Sequence, residues 1–264
     1  MAITTLDGFI AAPKQTLQWT KTGARTTVAQ NYFSSFDVAG APGAGTLNVG
    51  NTANGLVPTD ATAGYPIVNA FGGGSTGYIT AAQVSSSVAC RITVYDRLFV
   101  AGAYAFNANT ALATQPSFAS RVPGTQYAGL ELWVEQVTAA TGNQAVTVTY
   151  TNQDGTGSRT TGAVGIGAAP IVGRCWQLPF QAGDSGIQRI DNVLGTVATA
   201  GTFNVMVLRR LFTVRIPVAG ASVLMNLLDT GMPEVYADSA FYCLVSTDGT
   251  ALGVPDISFQ IANG

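Results

Sequence analysis

The stretch Ala145-Val-Thr-Val-Thr-Tyr-Thr, residues 145–151, decides the fold class. Val146, Val148 and Tyr150 alternate with three threonines, and a period of two residues is typical of an antiparallel strand with one buried face. Asp154-Gly155 comes shortly afterwards and predicts a hairpin turn. This part of the chain therefore indicates an antiparallel β-sheet.

Runs of the same kind recur on both sides of this strand, with turn residues between them. The sequence predicts further strands over residues 78–84, 88–100, 129–137, 174–180, 187–193, 203–217, 235–246 and 257–261. A first strand-like run covers 26–36, and small residues and turn residues dominate 39–77. We expect an all-β fold, an antiparallel β-sandwich with long loops.

Three segments depart from the strand pattern. Residues 221–231 predict one short helix that ends at Gly231. The polar and apolar positions of 203–217 change phase at Arg209-Arg210, which predicts a bulge or a break in that strand. Residues 1–24 have no clean period, so we expect an extended N-terminal arm before a β-sandwich domain over 25–264. That domain is either one sandwich or two smaller ones joined near 139–143.

The composition limits the possible partners. Charged residues make up 10% of the 264 residues, against about 25% in an average domain, and the formal net charge is −2. This balance provides no basic surface for nucleic acid and no polybasic patch for a membrane, and no apolar run reaches the length of a membrane span. We therefore expect no nucleic-acid partner and no membrane partner.

The chain has no histidine, which excludes Ser/His/Asp and Cys/His catalytic groups and His-based zinc sites. We expect neither an enzyme nor a bound cofactor or metal. Cys90, Cys175 and Cys243 lack C-x-x-C spacing and are predicted to be free thiols. Cys90 and Cys243 share a strand face with apolar residues, whereas Cys175 lies opposite the apolar face of its strand. Cys175 is therefore the predicted accessible thiol.

Glu131, Trp133 and Glu135 share one face of a predicted strand, which suggests three alternatives. Two acids could form a glycosidase pair, but four residues at about 3.3 Å each separate the Cα atoms by about 13 Å, and glycosidase carboxyls lie roughly 5–9.5 Å apart. An exposed Trp133 could contact a glycan, together with loop aromatics such as Tyr65 and Tyr78, or contact another subunit. Another layer of the fold could instead cover this face.

Three stretches together resemble a group of small virion structural proteins of tailed bacteriophages. They are 5–12 (TLDGFIAA), 145–156 (AVTVTYTNQDGT) and 178–187 (LPFQAGDSGI). The resemblance implies a jelly-roll-like building block that decorates or cements a phage capsid from outside. It also implies a symmetric homo-oligomer, with a trimer favoured, assembled in the host bacterial cytoplasm and located in the virion.

The expected partners are the major capsid protein or other virion subunits. We expect the N-terminal arm to make capsid or subunit contacts through Leu6, Phe9, Ile10, Lys14, Lys21 and Arg25. A structural protein of the neck, collar or tail, and a β-sandwich module that binds host glycans, are the alternative functions.

Overall fold

The computed structural model describes residues 5–71, 76–165, 171–197 and 199–264. These residues form three antiparallel β-sheets, which confirms the predicted all-β fold with layered, sandwich-like packing. Sheet I has the strand order β15-β5-β18-β1-β3, and β16 also pairs with β5. Its members are β1 (Lys14–Lys21), β3 (Gly40–Ala41), β5 (Gly77–Ser86), β15 (Ser222–Met225), β16 (Glu234–Val235) and β18 (Pro255–Asn263).

Sheet II lies in the middle and closes on itself. Its long strand β14 pairs with β8 on one side and with β6 on the other, so the ring runs β14-β8-β12-β2-β17-β6 and back to β14, with β4 outside it on β6. Its members are β2 (Tyr32–Ser34), β4 (Asn51–Leu56), β6 (Cys90–Ala105), β8 (Leu130–Thr138), β12 (Arg174–Gln177), β14 (Thr202–Ile216) and β17 (Phe241–Thr247).

Sheet III packs against one face of β8 and β14. Its order is β10-β9-β13-β7, with β11 also on β9. Its members are β7 (Asn109–Ala111), β9 (Ala145–Asn152), β10 (Arg159–Thr160), β11 (Val164–Gly165) and β13 (Ile187–Gly195). The short helices are α1 (Leu6–Ala11) and α2 (Leu227–Thr230), with 3₁₀ turns at Ala119–Arg121 and Pro123–Thr125.

The core consists of two hydrophobic clusters, and β14 of sheet II contributes one of its faces to each. On β14, Val205 and Val207 belong to the cluster shared with sheet III, whereas Met206 and Leu208 belong to the cluster shared with sheet I. Successive side chains of a strand point to opposite faces. A strand with a layer on each side is therefore apolar at every position, which explains why the run at β14 is almost continuously hydrophobic.

The predicted strands are largely confirmed. The strand over 145–152 has the bounds expected from its alternation, and Gly155 makes the predicted turn, with φ of 83° and its N–H donating to Asn152 O at 3.1 Å. The run 235–246 is divided into β16 and β17, and the run 26–36 contributes only the three residues of β2. The predicted bulge is present, because the register of β14 against β6 shifts between Arg210 and Phe212.

The prediction of a helix over 221–231 is wrong for its first half. Residues Ser222–Met225 form β15 on the edge of sheet I, where Met225 is buried, and the helix α2 occupies four residues only. Asn226 ends the strand and begins the helix, because its side chain accepts hydrogen bonds from Leu228 N and Asp229 N. An N-cap asparagine of this kind fixes where a helix starts.

The predicted arm is also wrong in extent. Residues Lys14–Lys21 form β1, which pairs with β18 from Lys14↔Ala262 to Thr20↔Asp256 and buries Leu17, Trp19 and Lys21. The alternation of β1 is partly hidden by polar residues and a lysine, so its strand character is weak in the sequence. Of the predicted arm, residues 1–4 lie outside the described residues, and 5–13 lie ahead of the sheet with α1 among them.

Candidate functional site

The predicted surface group of Glu131, Trp133 and Glu135 lies inside the molecule. The three residues share one face of β8, as expected, but their exposed fractions are 8%, 2% and 0%. Glu135 on that face contacts side chains of β6, β14 and β17, so other strands of the closed sheet II cover it. The interpretation of these residues as an exposed glycan or subunit contact is therefore wrong.

The Glu135 carboxylate is held by three donors. Arg97 Nη2 donates at 3.2 Å, Asn204 Nδ2 at 3.1 Å, and the Tyr242 hydroxyl donates to the other carboxylate oxygen. The Arg97 guanidinium lies 4.8 Å from the centroid of the Tyr242 ring. Burial, with the nearby charge of Glu135, raises the pKa of Tyr242 well above its usual value. Tyr242 therefore stays protonated and remains a donor to Glu135.

The Glu131 carboxylate has its own, separate partners. Trp133 Nε1 donates to it at 2.7 Å, the Tyr95 hydroxyl at 3.2 Å, and Arg210 Nη2 lies 2.6 Å from its other oxygen. The structure thus brings Glu131 and Trp133 together as a hydrogen-bonded pair. A glycosidase pair needs two carboxyls facing one reachable substrate bond. Glu131 and Glu135 are enclosed and bonded to different groups, so this pair has the arrangement of structural ions.

Asp96 extends this buried polar network and was not singled out by the sequence. Its carboxylate accepts from Arg209 at 3.2 Å, Ser239 Oγ at 3.0 Å and Ala240 N at 3.0 Å. Arg121 lies 3.6 Å from it and donates to the carbonyl oxygens of Pro58, Asp238 and Arg97. Buried charges are costly unless they are paired and hydrogen-bonded, as Asp96 is here. The network therefore ties the loops near 58, 121 and 238 to sheet II.

The prediction of an accessible thiol at Cys175 is wrong. Cys175 is 2% exposed, and its Sγ donates to Gly173 O at 3.5 Å. Both faces of β12 are covered, because Cys175 packs into one hydrophobic cluster and Trp176 into the other. Burial raises the pKa of Cys175 well above its usual value. Cys90 and Cys243 are buried free thiols, as predicted.

Three of the predicted arm contacts are used inside the chain. The Lys21 ammonium donates to Pro42 O at 3.0 Å and Gly43 O at 3.2 Å, and burial lowers its pKa to about 8. Arg25 pairs with Asp37 and donates to Val172 O at 2.9 Å. Lys14 is exposed, but its ammonium donates to the carbonyl oxygens of Phe9, Ile10 and Ala12. For Lys21 and Arg25 the prediction of a free arm contact is wrong.

The other arm residues form an exposed apolar surface. Every residue of α1 is at least partly exposed, and Leu6 and Ile10 are 70% and 64% exposed. The helix borders a cleft of about 370 Å³, here named the α1 cleft. Its lining residues come from α1, β5 and the neighbourhood of α2, and they are Thr5, Leu6, Phe9, Tyr78, Thr80, Leu227, Gly231 and Met232. Leu228 on α2 is 90% exposed.

The helix α1 was missed in the sequence although it carries a recognisable start signal. Thr5 is the N-cap residue, and its hydroxyl accepts from Gly8 N at 3.0 Å. A threonine ahead of apolar residues at i and i+4, here Leu6 and Ile10, is typical of a helix N-terminus. Gly8 within the same turn lowers the helix propensity and obscures the signal.

A second polar cluster, around Asp184, lies at one end of sheet III. Its carboxylate accepts from Arg159 Nε at 2.8 Å, Asn152 Nδ2 at 2.8 Å and the Tyr150 hydroxyl at 2.6 Å. The Arg159 hydrogen bond is the main cause that lowers the pKa of Asp184 to about 2. The sequence indicated only a polar turn at 181–186, and the structure shows that the turn is anchored to β9 and β10.

Comparisons with known proteins give little information. No protein-family model matches the chain, and no curated protein matches it. Solved structures aligned with it include one of infectious bursal disease virus strain Gt, at 10% identity over 96% of this chain and 81% of that chain, with a TM-score of 0.18. The crystal structure of the infectious bursal disease virus VP2 subviral particle aligns at 10% identity over 96% and 80%, with a TM-score of 0.18. Similarity at this level carries no argument about fold or role.

Within the described residues, no helix is long and apolar enough to cross a membrane. No group of three or more Cys, Asp or Glu side chains in that part of the chain is arranged to hold a metal ion.

Proposed function

We propose that this chain is a structural subunit of a virus particle, and that it decorates or cements the exterior of a tailed-bacteriophage capsid. The proposal assigns it no catalytic activity. Its partners are the major capsid protein or other virion subunits, and it acts as a homo-oligomer, with a trimer favoured. It is assembled in the host bacterial cytoplasm and is located in the virion.

The observation that carries this proposal is the α1 cleft together with the exposed apolar side chains on the two helices that border it. Leu6, Ile10 and Leu228 are each more than 60% exposed, on two short helices at one end of sheet I. Clustered apolar side chains on a protein surface mark interaction sites with other proteins. The low charge content of the chain supports an assembly role, since charged residues are depleted from the cores of subunit interfaces.

The resemblance of 5–12, 145–156 and 178–187 to tailed-phage virion proteins supports the choice of particle. One of these stretches, 5–12, contains α1, so it includes part of the α1 cleft. The glycan-binding alternative loses two of its three named contacts, because Trp133 and Tyr65 are buried. Tyr78 is half-buried in the α1 cleft.

The first experiment labels purified source particles with an antibody to this chain and images them by electron microscopy. Regular label over the head supports the decoration role. Label restricted to the neck or tail contradicts that role in favour of a connector or tail protein, and absence of label contradicts a place in the virion.

The second experiment tests the exposed apolar surface of α1 and α2 at the α1 cleft. A chain with Leu6→Ser and Leu228→Ser is added to particles that lack the protein, and co-sedimentation is compared with the parent chain. We expect binding to weaken at least tenfold. The matched control is Val218→Ser, which removes a side chain of similar exposure at the other end of sheet I, where Gly220 N donates to Ser86 O. Equal binding by the double variant contradicts the proposal.

A further inference from the structure

Two arginines stand directly opposite each other on neighbouring strands of sheet II. Arg91 on β6 and Arg215 on β14 are register partners in the antiparallel ladder. Directly opposed residues point to the same face with Cβ atoms about 4.5–5.5 Å apart, and like charges in that arrangement are destabilising. The chain has only 12 basic residues in 264, and two of them are placed where their charges repel each other.

The same row continues across two more strands. Arg91 is the register partner of Ser246 on β17, and Ser246 is the partner of Tyr32 on β2. Arg215, Arg91, Ser246 and Tyr32 therefore lie side by side on one face of four adjacent strands. At about 4.8 Å between strands, the row is about 14 Å long. All four side chains carry hydrogen-bond donors.

The positive charge of this row is only partly balanced. Asp248 Oδ2 lies 3.8 Å from Arg215 Nη2, and the two side chains are 61% and 66% exposed. In the part of the chain that the structure describes, the Arg91 guanidinium has no hydrogen-bond or ion-pair partner. Two arginines and one aspartate leave a local charge of +1 on a chain whose formal net charge is −2.

The row lines a pocket of about 300 Å³, together with Gln30, Cys90 and Asp248. Gln30 has φ of 62°, a left-handed conformation that is uncommon for a residue other than Gly, Asn or Asp. Its N–H donates to Thr247 O at 2.7 Å, which fixes this conformation at the pocket. Backbone strain of this kind persists where the surrounding structure enforces it, and it is concentrated at binding sites.

We propose that this pocket, the Arg91 pocket, binds a phosphate group. Arginine guanidinium groups are suited to phosphate because their N–H donors match its oxygens in pairs. Arg91 and Arg215 contact the phosphate oxygens, and the hydroxyls of Ser246 and Tyr32 complete the set of donors. The bound anion also relieves the repulsion between the two arginines. The phosphate is either free in solution or part of a small phosphate monoester.

The test measures binding to the full chain by calorimetric titration with inorganic phosphate and, separately, with glycerol 3-phosphate. Both titrations run at constant ionic strength set with chloride. We expect Arg91→Gln to weaken the phosphate affinity at least tenfold, and Arg215→Gln to do the same. Asp248→Asn is expected to strengthen binding a few-fold, since it removes the competing carboxylate. The relative affinities of the two probes show whether the monoester or free phosphate is the better ligand.

Arg189→Gln is the matched control, because Arg189 is an exposed arginine paired with Asp191 and far along the chain from the pocket. Its phosphate affinity should equal that of the parent chain. Thermal unfolding provides a second readout. In chloride, Arg91→Gln should melt at the same temperature as the parent or about 1–2 °C higher, since a like-charge contact is removed. Adding phosphate should raise the parent's midpoint by more than that of Arg91→Gln.

Equal phosphate affinity in the parent and Arg91→Gln overturns the proposal, and so does the absence of binding by both probes. A general salting effect of phosphate would raise the midpoints of parent and variant equally, and that result also contradicts the proposal.

Discussion

The strand β8 and the helix α1 both depart from the usual rule that charged residues are exposed and apolar residues are buried. β8 carries Glu131 and Glu135 into the interior, whereas α1 exposes Leu6 and Ile10. Polarity alone therefore does not decide which of these side chains is buried. On β8, the acids are enclosed and balanced by arginines of other strands of the closed sheet, Arg97 on β6 for Glu135 and Arg210 on β14 for Glu131. On α1, the apolar residues are exposed because the short helix lies at the end of sheet I with no layer over it.

Breaking the buried ion pair of Arg97 and Glu135 should cost more stability than any other change considered below. Glu135→Ala leaves Arg97 buried without its carboxylate, and removing one partner of a buried pair costs about 3–5 kcal/mol. We expect the free energy of unfolding in urea to fall by that amount. The control is Arg189→Ala, which breaks the exposed pair with Asp191 and should cost about 0–1 kcal/mol. Equal losses in the two variants would contradict the assignment of Glu135 to a sealed network.

The three cysteine thiols should be unreactive in the native protein. Cys90, Cys175 and Cys243 are all buried, and burial raises the pKa of each. Because the thiolate is the reactive form, a thiol reagent should modify none of them in the native state and three in denaturant. If one thiol reacts in the native protein and Cys175→Ala abolishes that reaction, the covered face of β12 is incorrectly assigned.

A smaller effect on stability is expected at the ion pair of Arg159 and Asp184. The pKa of Asp184 in the folded chain is about 2, below its ordinary value of 3.8, chiefly because Arg159 donates to it. Its contribution to stability is therefore present above pH 4 and is lost as the pH falls from about 4 to 2. We expect the melting temperature of the parent to drop more steeply over this interval than that of Asp184→Asn. Parallel curves would show that Asp184 is not the group responsible.

The smallest effect is expected on α1. Leu6→Ser should change the free energy of unfolding by less than about 0.5 kcal/mol, because the side chain is mostly exposed in the folded chain. Leu17→Ser, on the buried face of β1, is the matched control and should cost at least about 2 kcal/mol. A loss from Leu6→Ser similar to that from Leu17→Ser would show that α1 is part of the core.

The sequence alone predicts the strands well where alternation or a long apolar run is undisturbed, as in 145–152 and 203–217. It also predicts which residues share a face, and Glu131, Trp133 and Glu135 do. That this face is covered could not be predicted, because it depends on how strands far apart in sequence close sheet II into a ring. Cys175 shows the same limit, since β12 is buried on both sides and its alternation carries no information about exposure.

Local competition explains the errors at the two helices. Residues 222–225 have apolar positions compatible with either a strand or a helix, and pairing with β5 decides in favour of the strand. At α1, the N-cap residue Thr5 favours a helix start, but Gly8 lowers the helix propensity of the residues that follow. The Arg91 pocket could not be predicted from the sequence. Arg91 and Arg215 become neighbours only through the register of β6 and β14, which the net charge of the chain does not reveal.

The pairing of β1 with β18 sets the order in which this protein can fold. The hydrogen bond from Thr20 to Asp256 joins residues 236 positions apart, and the paired residues of β14 and β6 are about a hundred or more positions apart. Folding slows as contacts become more distant along the chain, because closing each loop costs entropy before the contact forms. Sheet I therefore stays incomplete on the ribosome until β18 has left the exit tunnel, and the native state is reached after synthesis of that strand.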